Sequence, residues 1–140
     1  MESSILNMVQ SVGTSRAYQP GEKIFIEGFP GTTMYVVLDG NIEIHVGEKS
    51  MEVAGRGTII GEMALIDSST RSATVVAKDY CVLSQVNQSQ FLSLMEKTPC
   101  FALSVMKTLV TRLRNMDAIV SNGLGRIPSN LNGENLLKHQ

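Results

Sequence analysis

Met34-Tyr35-Val36-Val37-Leu38-Asp39-Gly40-Asn41-Ile42-Glu43-Ile44-His45-Val46 is the stretch that decides the fold class. Both apolar runs are short, rich in β-branched and aromatic residues, and bounded by turn formers, which favours strands over helices. In the second run Ile42, Ile44 and Val46 alternate with Glu43 and His45. That period predicts one face packed inward and places Glu43 and His45 in water. Asp39-Gly40 between the runs is the sharpest hairpin signal in the chain.

Working outward, further short β segments are expected at Ile24-Phe25-Ile26, Met51 to Ala54, Ala73 to Ala77 and Tyr80 to Val86. Pro20-Gly21, Gly28, Pro30-Gly31 and Gly47 punctuate them at turn-like intervals. Many short, turn-linked strands imply a mainly β domain of the sandwich, roll or barrel kind. After Val86 the apolar period becomes helical. Ser89 is placed to cap a helix through Leu94-Met95, and Thr98-Pro99 to start a longer one running to about Val120. Along the latter, Ala102, Met106, Leu109, Leu113, Met116 and Val120 form a heptad seam, with Val105 and Val110 on a second face. The seam fits either a homodimer contact or packing on the chain's own core. Beyond Ser121 the composition turns to Gly, Asn, Ser and Pro, the mark of a flexible tail too short for a helix-turn-helix domain.

A chain of 140 residues fills one hydrophobic core. Its formal charge of −1, with both signs interspersed, supplies no field of the kind that holds proteins on DNA or anionic lipid. No basic segment leads into an apolar run at the N-terminus and no apolar stretch approaches membrane-spanning length, so a cytoplasmic location without membrane contact is expected. Cys81 and Cys100 each sit among apolar neighbours without metal-ligand spacing and read as reduced, buried thiols. The eight methionines read as core filler. The histidines are His45, on an outward strand position, and His139, in the tail, so a nucleophile–base relay has no placed base. No second carboxylate or metal cluster accompanies Glu62 and Arg71, and the module is expected to be non-enzymatic and metal-free. The glycines at 55, 57 and 61 lack the βαβ setting of a dinucleotide fingerprint, and no Gly-Lys-Ser/Thr follows as in a triphosphate loop.

Chemistry concentrates in Gly61-Glu62-Met63-Ala64-Leu65-Ile66-Asp67-Ser68-Ser69-Thr70-Arg71-Ser72-Ala73. Glycine at 61 lets backbone approach a ligand, and Glu62 to Ile66 suits one short helical turn whose free N–H groups face an anion. Arg71 offers a permanent forked cation to a phosphate, with the Ser72 hydroxyl beside it. Glu62 would repel phosphate but accepts well from sugar hydroxyls, so the loop fits a ligand with a ribose at one end and a phosphate at the other.

This stretch resembles the phosphate-binding cassette of the cyclic-nucleotide-binding domain family, of the catabolite activator protein and cAMP-dependent kinase regulatory subunit type. The likeness runs from about Tyr18 to Val120, through Pro20-Gly21-Glu22-Lys23-Ile24-Phe25, the strand ending at Gly40, the cassette and the closing helix. It implies an antiparallel β-roll (about 18–88) with a short N-terminal helix and C-terminal helices (about 89–120), residues 1–120 forming the domain and 121–140 a tail. It further implies that Arg71 holds the exocyclic phosphate oxygens with help from Ser72, and that Glu62 accepts from the ribose 2′-hydroxyl. Backbone N–H groups around Gly61, Met63 and Ala64 complete the cradle, and Ala73 closes the ligand-binding set.

Serine at 72 leans toward cAMP, with cGMP as the other candidate, since cGMP-selective members often carry threonine there. Ile60 and Thr70 replace the family's usual aromatic and proline, and Thr32 stands where kinase subunits carry an aspartate that positions the arginine. At the base site Met116 and Asp117 stand where catabolite activator protein has threonine and serine. Asp117 either accepts from an adenine amino group or is a solvated helix residue. The resemblance also implies signalling through the long helix to a dimer partner or an effector protein, against the alternative of a roll in which Glu62 and Arg71 pair internally and which serves as a protein-interaction scaffold.

Overall fold

The computed structural model describes Met1 and residues 3–123, with the side chains of Met51 and of residues 116–123 outside that description. Helix α1 (Ser3–Val12) is followed by eight strands: β1 (Thr14–Tyr18), β2 (Lys23–Phe25), β3 (Thr33–Asp39), β4 (Ile42–Val46), β5 (Lys49–Ala54), β6 (Ile59–Ile60), β7 (Thr74–Ala77) and β8 (Cys81–Asn87). Helix α2 (Glu62–Asp67) lies between β6 and β7, and α3 (Gln88–Lys97) and α4 (Pro99–Gly123) end the described chain. Two compact units divide it, Met1–Val105 and Met106–Gln140.

In the first unit the strands form two antiparallel four-stranded sheets, ordered β1-β8-β3-β6 and β2-β7-β4-β5. Ile24, Tyr35, Val37, Ile42, Ile60, Val75, Ala77, Cys81 and Leu83 form one buried cluster drawn from both sheets, the aligned inner faces of a β-roll. The valine, leucine and isoleucine side chains among them contribute roughly 1.5–3 kcal/mol each by leaving water. Helix α1 buries Ile5, Leu6 and Val9, and the buried Ser84 hydroxyl on β8 donates to the Val9 carbonyl at 3.0 Å. At the other end Phe91 of α3 meets Phe101 of α4 edge to face, centroids 6.1 Å apart.

Asp39-Gly40 is not a hairpin. Strands β3 and β4 belong to different sheets, and Gly40 turns the corner between them at φ 86°. A Cβ there would stand 2.3 Å from the Tyr80 carbonyl, so glycine is needed for close approach rather than for a two-residue turn. Asp79 fixes the corner, accepting from Asn41 N at 2.8 Å and Nδ2 at 3.0 Å, and these bonds hold its carboxyl below the usual carboxylate range. The tight hairpin is instead at Gly47-Glu48, where Val46 pairs with Lys49.

Glu43 and His45 do share a face of β4, but they pair with each other at 3.0 Å and remain only partly exposed, while Val46 emerges into solvent beyond a register irregularity at Ile44/His45. Asn87, not Ser89, caps α3, in a reciprocal capping box with Gln90 (both bonds 2.9 Å) that outcompetes a serine two residues later. Thr98 precedes α4 as expected, yet its buried hydroxyl has no hydrogen-bond partner, and the Thr98 carbonyl accepts from Phe101 N and Ala102 N. Both cysteines are free. Cys81 is buried and Cys100 exposed, since position 100 lies on the outer side of the first turn of α4.

In the second unit α4 continues to Gly123. Of the heptad seam, Met106 (52 %) and Leu113 (67 %) are exposed, as is Val110 (47 %). Met116, Asp117 and Val120 lie outside the described side chains, and the tail beyond Gly123 outside the described residues. Among the described residues no helix is long and apolar enough to cross a membrane, and no group of His, Cys, Asp and Glu is placed to hold a metal ion.

Candidate functional site

Two buried isoleucines, Ile59 and Ile60, pair with Val36 and Tyr35 of β3 and so deliver Gly61 to the sheet edge. Gly61 takes φ 79° and is the N-cap of α2. It needs glycine twice: L side chains disfavour that conformation, and a Cβ would stand 2.6 Å from Arg71 Nη1. Six residues are too few for a helix to persist on its own, and α2 is held by burial of Ala64 and Leu65. Its first N–H groups have no intrahelical acceptor, and glycine brings no side chain to cap them. The helix ends at Ser68 in the left-handed region, with Ser69 N donating to Asp67 Oδ1 at 3.0 Å.

Arg71 returns the chain beneath Gly61. Its backbone is held in a two-bond ladder to the loop after β2, Gly28 N to Arg71 O at 2.8 Å and Arg71 N to Phe29 O at 2.9 Å. The residue is only 6 % exposed. Nη1 donates to the Gly61 carbonyl and Nη2 to the Thr33 hydroxyl, each at 3.3 Å, and the guanidinium carbon lies 4.3 Å from the centroid of the Phe25 ring. A Cβ on Gly31 would fall 2.3 Å from Nε, so that glycine opens the space the guanidinium occupies. Both hydrogen-bond acceptors are uncharged and the bonds are long. Burial pushes the guanidinium pKa down, with Tyr35 acting in the opposite sense, but arginine stays protonated under any ordinary condition. The result is a desolvated cation held by neutral groups, an arrangement that gains most from an anion placed beside it.

The structure thus brings Gly61 and Arg71 into contact, with Glu62, Met63 and Ala64 forming the first turn of α2 beside them. Glu62 is fully buried and already engaged within the protein. Met63 and Ala73 are half-buried and Ser72 is exposed. Asp117 falls on the α4 backbone, its side chain outside the description. The threonine that meets Arg71 is Thr33, not Thr32: the first residue of β3 turns its hydroxyl to the guanidinium, while Thr32 is exposed in the preceding loop.

Sequence reasoning missed Phe25, Gly31 and Thr33. Phe25 read simply as one apolar strand residue and Gly31 as turn punctuation; a π face or an absent Cβ acquires its meaning only from what packs against it. A cleft of about 270 Å³ lies against α2, lined by Gly31, Thr32, Ala64, Leu65, Ser68 and Thr70 among others, and so adjoins the site at Gly31 and Ala64. Its lining carries no charged side chain.

Comparison with known proteins identifies the fold and the family. The family profile described as the cyclic nucleotide-binding domain matches residues 15–98. The cyclic AMP receptor protein of Thermus thermophilus is 33 % identical over 107 residues, covering 73 % of this chain and 50 % of that protein. A cGMP-dependent protein kinase of Plasmodium berghei is 32 % identical over 73 residues, 52 % of this chain and 8 % of the kinase. Among solved structures, the catabolite activator protein of Thermus thermophilus superposes with a TM-score of 0.73 at 28 % identity, covering 86 % of this chain and 59 % of that one. The chain spans half or less of the length of these two curated relatives. With the two-sheet roll, the short helix after Gly61 and the buried arginine beneath it, this chain belongs to the cyclic nucleotide-binding domain family.

Proposed function

We propose that this domain binds a purine 3′,5′-cyclic nucleotide, cAMP in preference to cGMP, and passes occupancy on through α4. The observation that carries the reading is Arg71: a buried arginine whose guanidinium is bonded to a carbonyl and a hydroxyl, beside the first turn of α2. A cyclic phosphate diester, singly charged and presenting two exocyclic oxygens, matches Arg71 together with the leading N–H groups of the helix. Ser72, Met63, Ala64 and Ala73 would contribute polar and van der Waals contacts, and Glu62 would accept from the ribose 2′-hydroxyl by turning from its present engagement. Serine at 72 supports cAMP. Asp117 would meet the adenine amino group.

Ligand capture would order the Gly61–Ala73 segment and bias the position of α4, whose exposed Met106, Val110 and Leu113 suit a helix-to-helix contact in a homodimer or with an effector protein. The rival reading, an internal Glu62–Arg71 pair in a roll without ligand, is disfavoured because the guanidinium donates to uncharged acceptors, the Gly61 carbonyl and the Thr33 hydroxyl.

Calorimetric titration of nucleotide-free protein with cAMP and with cGMP tests the reading. Saturable binding is expected, tighter for cAMP, and weakened on the order of 100-fold by Arg71→Ala, the loss of a charge-assisted pair with phosphate. Equal heats from wild type and variant would refute it. Amide exchange in residues 99–115 should change with cAMP; an unchanged pattern there would remove the proposed output.

A further inference from the structure

Arginine can be oriented for a phosphate in two ways. A carboxylate can take its N–H donors, which fixes the side chain but neutralises the charge and occupies in-plane positions. A flat apolar surface can take its face, which leaves both the charge and the edge donors in place. In this chain the second device is present. The Phe25 ring lies 4.3 Å from the guanidinium carbon, and Tyr35 supports that ring with centroids 6.0 Å apart and planes tilted by 35°. On the edge, Nη1 gives one hydrogen to Gly61 and Nη2 one to Thr33, so the Nε–H and the second hydrogen on each Nη remain for a ligand. Gly31 keeps the space clear, since a Cβ would stand 2.3–2.5 Å from Nε, Cζ and Nη2.

We propose that Phe25 is a positioning residue for Arg71: its ring, braced by Tyr35 and opened by Gly31, pre-orients the guanidinium for a cyclic phosphate without neutralising it. The inference rests on the reading of Arg71 as the phosphate ligand. A free arginine side chain has several rotatable bonds to immobilise on binding, and a side chain already stacked before the ligand arrives avoids much of that entropy loss. The ring also excludes water from one face of the cation, which strengthens its attraction for an incoming anion. Phe25 itself need not touch the nucleotide.

The test combines affinity with a spectroscopic signature. In the ligand-free protein the Arg71 Nε–H resonance should be displaced upfield by the Phe25 ring current, and the displacement should vanish in Phe25→Leu and persist in Phe25→Tyr. Affinity for cAMP should fall about three- to tenfold in Phe25→Leu and be retained in Phe25→Tyr. In an Arg71→Lys background, where there is no planar group to stack, Phe25→Leu should cost markedly less.

Loss of cAMP affinity in Arg71→Ala together with unchanged affinity in a folded Phe25→Leu would overturn this inference and leave the functional reading intact. Wild-type protein that binds no cyclic nucleotide would overturn both. If Phe25→Leu does not fold, the wild-type spectrum decides: an Arg71 Nε–H resonance without ring-current displacement overturns the proposal.

Discussion

The two compact units of this chain carry opposite kinds of design. Around Gly61 and Arg71, in the unit Met1–Val105, each feature is held more than once: the glycine by φ and by contact, the arginine by a backbone ladder, two hydrogen bonds and an aromatic face. In the unit beginning at Met106, large apolar side chains at 106, 110 and 113 are left in solvent. Recognition of an anion demands fixed charge and fixed geometry, which a sheet supplies. A surface that must change its partner when ligand arrives is better built on a helix with an uncommitted apolar face.

Predictions sharpen that contrast in order of expected effect on affinity. Arg71→Ala heads the series, as above, and its melting temperature should hold or rise because a desolvated cation is removed. Gly31→Ala comes next. Position 31 has no left-handed backbone requirement, and the atoms its Cβ meets are the far end of a long side chain. The fold should therefore tolerate it, while the displaced guanidinium lowers cAMP affinity by about tenfold, on the scale of one lost charge-assisted bond. A melting temperature that drops while affinity stays unchanged would show that Gly31 serves only packing.

Leu113→Asp addresses the other unit. If the proposed contact is a homodimer, light scattering should show association in the wild type and none in this variant, with cAMP affinity changed less than about threefold, since the charge falls on a 67 % exposed position of the helix. A tenfold affinity loss would mean that the two units are not separable in function.

Smallest is Tyr18→Phe, a control on the scaffold. Burial pushes the Tyr18 phenol from 10.0 up to about 12, with the neighbouring Tyr35 adding to the rise. A folded-state pKa above the unfolded value means stability fully present below pH 10.0 and lost as pH rises toward about 12. The variant should leave affinity at neutral pH unchanged and flatten the alkaline fall in melting temperature; an equally steep fall would assign it to another group.

How much of this was legible in the sequence follows from how local each cause is. Alternation and turn residues placed β2, β3, β4, β5, β7 and β8 because those strands pair inward-facing apolar residues with short turns. Strand β1 was silent: Thr14-Ser15-Arg16-Ala17-Tyr18 is exposed at its first four residues and exists by pairing with β8, aided by Arg16 donating to Gln85 at 3.2 Å. Strand β6 has two residues, too few for any period. The corner at Gly40 misled because Asp-Gly has two uses, and the deciding partners, Asp79 and Tyr80, lie some forty positions away in sequence. Position 100 misled because apolar sequence neighbours on a helix do not share a face.

At the site, Gly61 and Arg71 were readable because their chemistry is carried by residue type. Phe25, Gly31 and Thr33 were not, because each acts on Arg71 across a gap closed only by folding. The family's positioning aspartate made position 32 the natural place to look. In the structure the guanidinium instead meets the hydroxyl of Thr33 and the ring of Phe25.

The central claim, that a cyclic phosphate sits between the first turn of α2 and Arg71, is tested most directly by following a cAMP titration with amide and arginine side-chain NMR. Our account predicts the largest shifts at the N–H groups of residues 61–64 and 71–73 and at Arg71 Nε–H. Shifts confined to the uncharged cleft around Thr32 and Ser68 to Thr70, with Arg71 unmoved, would contradict it.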